Sequence, residues 1–220
     1  MSENIIAILP EFWISIWQTF MMLGIGLACA VVFGGPLGVL LFQMGPGQAR
    51  GNKPVYMVVS WIVNTVRSFP FIILLVVLTP VTATIVGTSI GPLAASVPLA
   101  AAAIPYFARL VEQSLREVPR GVIEAAEAMG ASEYQIVRRV LIREARSGLV
   151  LALTVLAVSF LSYSAVAGVV GGGGIGDLAI RYGYYRFQTD VMLLTVASLI
   201  VLVQIIQFGG NTIAHRLDKR

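Results

Sequence analysis

The sequence predicts an all-α polytopic membrane protein with about five transmembrane helices. Three observations predict it. Hydrophobic residues make up 57% of the chain and charged residues only 12%; apolar runs recur at the length of a bilayer crossing; and the basic residues gather in alternate connections between those runs. A soluble domain carries about 25% charged residues, so this chain has too little polar surface to face water on all sides. The net charge of +4, from 15 Lys+Arg against 11 Asp+Glu, would by itself allow a nucleic-acid partner, but the placement of the charges points to a membrane surface instead.

A crossing helix needs roughly 20 apolar residues, because each backbone N–H and C=O in the hydrocarbon must be satisfied within the segment. Five stretches qualify, approximately Phe12 to Phe42, Val55 to Leu78, Thr84 to Ala108, Gly148 to Val170 and Val191 to Phe208. The first exceeds a simple crossing, and Gly34-Gly35-Pro36 is placed to kink it or mark its exit. No Lys or Arg precedes it, so the charged start of a cleavable signal is missing and the run reads as a retained span. The third is interrupted by Gly87, Gly91, Pro92 and Pro98. Residues 1–220 read as a single transmembrane domain without a low-complexity linker.

The positive-inside rule sets an expected orientation. Arg50 and Lys53 follow the first span, Arg109, Arg116, Arg120, Arg138, Arg139, Arg143 and Arg146 lie between the third and fourth, and Arg216, Lys219 and Arg220 close the chain. These are expected on the cytoplasmic side, which places the N-terminus outside and the C-terminus inside. Arg181 and Arg186 fall on the opposite side, and Arg67 lies within the second span. Gly34-x-x-x-Gly38 and Gly168-x-x-x-Gly172 have the spacing that lets helices approach closely, although chance in a chain with 22 glycines explains it equally well.

The connection Val118 to Ala145 carries the strongest local signals. Pro119 suits a first helical turn, Ile123-Glu-Ala-Ala-Glu-Ala-Met129 is strongly helix-forming, and Gly130 is placed as a left-handed C-cap. Ser132-Glu-Tyr-Gln135 reads as a capping box opening a second helix with Ile136, Val137, Val140 and Leu141 as its apolar face. Ala125, Ala126 and Ala128 offer a smooth face for close docking, with Glu124 and Glu127 free to pair with basic groups of a partner; an ordinary solvated surface helix fits the charge pattern as well.

Other chemistry is excluded or weak. Cys29 and His215 are single residues of their type and build neither a disulfide nor a metal cluster. Lys53 and Lys219 are not followed by Ser or Thr, so a phosphate-binding G-x-x-x-x-G-K-[S/T] loop is absent, and energy must come from another chain or from a gradient. Gly171-x-Gly173-x-x-Gly176 matches a dinucleotide fingerprint in form, but a hydrophobic span precedes it where a βαβ unit is required. It reads as a flexible turn at the outer face, with a gate or docking surface as its functional version. Glu124 and Glu127 have no nearby nucleophile that would make them an acid/base pair. Arg67, buried within a span, faces a cavity or a partner. It either attracts a substrate carboxylate, with Ser68, Phe69, Pro70, Tyr163 and Ser164 along the same path, or caps carbonyls near a helix break at Pro70.

The order Glu124-Ala125-Ala126, then Gly130, then Val140 and Ile142 resembles the EAA loop of bacterial binding-protein-dependent ABC importer permeases. Arg143 stands where that family commonly has a proline. Asn64 with Arg67-Ser-Phe-Pro-Phe-Ile-Ile-Leu-Leu75, Val86-Gly-Thr-Ser-Ile-Gly91, Tyr163-Ser-Ala165, Gly172-Gly-Gly-Ile-Gly176 and Tyr182-Gly-Tyr184 are similar to the methionine-import permeases, over nearly the full chain. The resemblance implies a type I importer permease in a bacterial inner membrane. It further implies a homodimer of five-helix subunits with no catalytic site, and a coupling helix bearing Glu124, Ala125, Ala126, Glu127, Met129 and Gly130. Two ATP-binding subunits that hold the ATP and Mg, and an extracytoplasmic binding lipoprotein, complete the implied assembly. A gradient-driven secondary transporter or channel for small solutes is the competing expectation. Such carriers usually place carboxylates within their spans, and the second to fifth runs as bounded above contain none, with Glu11 and Asp190 at the edges.

Overall fold

The structure, a computed structural model, describes residues 3–46 and 51–218; Arg50, Lys219 and Arg220 of the charge argument lie outside the described residues. The described residues are helical throughout, with short connections. Helix α1 runs over Glu3–Met44, α2 over Lys53–Ser68, α3 over Phe71–Val77, α4 over Thr79–Val86 and α5 over Pro92–Arg116. Helix α6 covers Arg120–Ala128 and α7 residues 133–144. Helix α8 covers Arg146–Val169, α9 residues 174–184 and α10 Thr189–Leu217.

Four of these, α1, α5, α8 and α10, are long and apolar enough to cross a membrane, and α2 with α3 pass the same test only as a pair broken by a 100° bend. The described residues thus hold four crossings, or the expected five where the bent pair counts as one span, and two boundaries differ from the sequence expectation. The second run is not a straight span. Pro70 lacks an N–H and forces Phe69 into an extended conformation (ψ 129°), so α2 stops at Ser68 and α3 restarts in another direction. The third span begins at Pro92 rather than Thr84, because Gly87 (φ +82°) ends α4 and Gly91 (φ +101°) turns the chain before Pro92 starts α5. It also runs on to Arg116, so Arg109 and Arg116 belong to the span helix and not to the connection.

Helix α1, at 42 residues, is about 63 Å long at 1.5 Å per residue, twice the hydrocarbon thickness. The kink expected at Gly34-Gly35-Pro36 is replaced by a π-helical turn over Ala30–Gly34, where Gly35 N–H reaches the Ala30 carbonyl and the helix passes through Pro36 unbroken.

The Gly34 and Gly38 pair is a true helix contact. A Cβ on Gly34 would stand 2.5 Å from the Ile104 carbonyl oxygen, and one on Gly38 2.5 Å from that of Ala108, so α1 and α5 meet backbone to backbone. The Gly168 and Gly172 pair differs: Gly168 packs on Gly176 and Asp177, and Gly172 lies beyond the end of α8, inside the turn. The main core joins α1, α5 and α8 through Met22, Leu99, Ala103, Leu156 and Phe160, all at most 1% exposed, and continues through Leu115 and Val118 into Ala126, Ile136 and Leu141 of the connection. The loop is thus an extension of the core rather than an appendage.

Candidate functional site

At one end of the bundle, α5 leads through Glu117, Val118 and Pro119 straight into α6. Pro119 sits at the N-cap with an extended ψ of 132°, one position earlier than a first-turn proline. Ile123 and Ala126 turn inward against Val137 and Val140 of α7, while Glu124, Ala125, Glu127 and Ala128 are exposed and Met129 is 81% exposed. Gly130, at φ +76°, closes the helix as expected. Its N–H donates to the Glu127 carbonyl at 2.9 Å and Ala131 N–H to that of Ala126 at 3.1 Å, the two bonds of a Schellman end.

The capping box is also present. Gln135 N–H donates to Ser132 Oγ at 3.4 Å and Ser132 N–H to Gln135 Oε1 at 2.8 Å. Arg143 does not break α7, which continues to Glu144; the turn falls at Ala145 instead. The result is a short, capped helix whose acidic, alanine-rich face has no neighbour within the described chain.

The residues considered for a pathway gather around the 100° bend. Arg67, in the last turn of α2, is exposed on its own subunit rather than buried as expected, and its guanidinium lies over the Tyr106 ring, 5.3 Å from the centroid, in a cation–π contact. Phe69 and Pro70 are exposed at the break. Phe71, one residue beyond it, stacks on Tyr163 of α8 with centroids 4.7 Å apart and planes within 3°, and Tyr163 leans on Phe160. The two serines turn back into their own helices: Ser68 Oγ donates to the Asn64 carbonyl, and Ser164 Oγ, in a residue 2% exposed, donates to that of Leu161. The bend thus sets Arg67 on Tyr106 to one side and Phe71 on Tyr163 to the other, leaves Phe69 and Pro70 exposed between them, and withdraws the hydroxyls of Ser68 and Ser164.

A polar network that sequence reasoning missed lies close to the loop end of α5. Glu112 is 3% exposed, and both its oxygens are engaged. Oε2 accepts from Arg109 at 2.5 Å; Oε1 accepts from Arg116 at 2.7 Å and from the Tyr56 hydroxyl of α2 at 3.0 Å. Arg109 also donates to Asn64 Oδ1 at 3.2 Å, to the Ser60 carbonyl at 3.1 Å and to Ser60 Oγ. This corrects the expectation that the second to fifth spans hold no carboxylate: ending the third at Ala108 left Glu112 outside it. The spacing of Arg109, Glu112 and Arg116, three and four apart on one helix face, was the available signal. Both Glu112 oxygens are thus taken up within the bundle by two guanidiniums and a phenol hydroxyl, the arrangement of a structural clamp between α5 and α2.

The opposite end is held by another set. The glycine-rich turn, expected to be flexible, is pinned to α1: Gln18 Oε1 accepts from Gly174 N–H at 2.8 Å and Thr19 Oγ1 from Ile175 N–H at 3.0 Å. Gly173 and Gly174 have φ of +74° and +83°, and a Cβ on either would strike Gln18 or Thr19, so glycine is required there for shape. Glu11 accepts from Arg181 and from the Tyr182 hydroxyl, both at 2.6 Å, and Arg181 also reaches Asp177 at 2.7 Å. The bond to Glu11, and then burial, hold the Tyr182 hydroxyl above the usual phenol range.

Comparison with known proteins agrees with this arrangement. Residues 34–220 match the family model described as the binding-protein-dependent transport system inner membrane component. A Vibrio cholerae protein named probable D-methionine transport system permease protein MetI is 48% identical over 93% of this chain and 91% of its own. The Bacillus subtilis methionine import system permease protein MetP is 42% identical over 96% of each. A solved structure described as an inward facing conformation of the MetNI methionine ABC transporter superposes with a TM-score of 0.94 at 45% identity, covering 100% of both chains. An amino acid ABC transporter structure at 19% identity, with a TM-score of 0.77, shares the fold. The chain belongs to the family of inner membrane components of binding-protein-dependent transport systems, as a multi-pass permease subunit of an ABC importer.

Proposed function

We propose that this permease imports methionine, that two copies enclose the translocation route, and that α6 of each copy seats in a groove of a separate ATP-binding subunit. The observation that carries the coupling reading is α6 itself, a nine-residue helix capped at its far end, continuous with a span at its near end, and bare on its Glu124, Ala125, Glu127 and Met129 side. A rigid element of this kind transmits displacement, which a loose loop would absorb. Methionine is the substrate class named for the relatives of 42–48% identity, and an apolar side chain needs little more than apolar contacts. ATP and Mg belong to the partner subunit in this reading, and an extracytoplasmic binding lipoprotein delivers the solute.

The arginines on α6 and α7, together with those closing α5, support a cytoplasmic loop, with the N-terminus outside and the C-terminus inside. Substrate passes near the bend, where Arg67 and the Phe71 and Tyr163 stack line one side. ATP turnover in the partners moves α6 and shifts the spans between outward-open and inward-open states. The test is reconstitution of this chain with an ATP-binding subunit and binding lipoprotein in vesicles, followed by uptake of radiolabelled L- and D-methionine. ATP-dependent accumulation is expected. Accumulation by the permease alone under an ion gradient would overturn the reading.

A further inference from the structure

Glu112 and its partners suggest how a push on α6 reaches the bend some distance away. Helix α2 adheres weakly to its own subunit through apolar contacts: Val63 is its only buried residue among those described, while Met57, Val58, Trp61 and Ile62 are at least 50% exposed. Its apolar attachment is a small cluster of Val63, Tyr56 and Val59 against Leu37, Leu41 and Ala108. What fastens it beyond that is polar. Tyr56, Ser60 and Asn64, at successive turns of α2, all bond to the Arg109, Glu112 and Arg116 set of α5. These three α2 residues share one face by their four-residue spacing, so the contact is a continuous seam.

The seam lies on the same helix, α5, that leads into α6 through only Glu117, Val118 and Pro119, and α2 ends at the 100° break where Phe71 stacks on Tyr163. We propose that Glu112 is a positioning residue, holding Arg109 and Arg116 as a two-pronged clamp on α2, so that α2 and α5 move as one lever between the loop helix and the bend. The inference rests on the coupling reading of α6. It follows from two facts together: the charge-assisted bonds are directional and stiff, and α2 has little apolar packing to move it otherwise.

The experiment uses the full complex in vesicles, measuring ATPase rate and radiolabelled methionine uptake on the same sample. The triple substitution Tyr56→Phe, Ser60→Ala and Asn64→Ala removes the four side-chain bonds of the seam, keeps only the Arg109 bond to the Ser60 carbonyl across it, and leaves the ion pairs within α5 in place, so no buried charge is orphaned. Uptake per ATP hydrolysed should fall about tenfold, the size of an ordinary coupling free energy, while the ATPase rate stays within about twofold. Glu112→Gln should act in the same direction and more strongly.

Spin labels at Met57→Cys and Gln113→Cys, in a Cys29→Ser background, should keep one distance in the nucleotide-free and vanadate-trapped states. In the triple variant that distance should change or broaden on trapping. An unchanged uptake-to-ATP ratio in the triple variant, or a Met57 to Gln113 distance that shifts in the otherwise unaltered protein, overturns the lever. Failure of the coupling reading looks different: the Gly130 variant described below would then transport normally.

Discussion

A Cβ on Gly130 would meet nothing within 4 Å, so the only demand at that position is its φ of +76°. A Gly130→Val substitution should therefore cost about 1–2 kcal/mol of local strain without a clash, and should lower ATP-driven uptake while membrane insertion, read by yield and gel filtration, stays intact. Normal transport by this variant would remove the coupling assignment. Gly38 makes the opposite demand. Its Cβ would stand 2.5 Å from the Ala108 carbonyl and 2.6 Å from Val111 Cβ, whereas Gly24 in the same helix has open space. Gly38→Ala should lower thermal stability in detergent by about 1–3 kcal/mol, and Gly24→Ala should leave it unchanged or slightly raised. Equal effects from the two would show that α1 and α5 do not touch where the structure joins them. The role of Gly130 was legible in the sequence because a C-cap is a local matter. That of Glu112 was legible only in its spacing from Arg109 and Arg116, because its partner on α2, Tyr56, lies 56 positions away.

Among the elements, the loop pair α6 and α7 was read almost in full, since caps, helix formers and a glycine turn act over a few residues. Ser132→Ala tests it: loss of the capping bond should cost about 1 kcal/mol and raise amide hydrogen exchange in residues 133–144 without unfolding the spans. Unchanged protection would mean that packing against α6, rather than the cap, starts α7. The second span shows the limit of hydropathy. Val55 to Leu78 is apolar enough to cross straight, and the run contains the proline that forbids it, yet the 100° direction taken at that break depends on Phe71 finding Tyr163 and on α2 being clamped to α5. The third span was misplaced by two turns for a related reason: Ala-rich sequence is only mildly apolar, and the start was decided by the backbone at Gly87 and Gly91 rather than by composition.

For the whole molecule, the proposed orientation has a direct check. In a Cys29→Ser background, a cysteine replacing Phe187, which is 86% exposed, should react with a membrane-impermeant maleimide on intact cells. One replacing Tyr134, 68% exposed, should react only after the membrane is opened. The reverse pattern would place the loop outside and end any role in meeting a cytoplasmic ATPase.

By itself the sequence determined the class of solvent, the apolar runs, the basic end of the bundle and the capped loop helix, because each follows from composition or from interactions within a few residues along the chain. Only the tertiary structure decided which glycines are contacts, that the glycine-rich turn is pinned by Gln18 and Thr19, through what angle the second span bends at Pro70, and that Glu112 binds two arginines and a tyrosine. Those features arise where segments distant in sequence compete for the same space or the same polar group, and that competition is settled only when the helices pack.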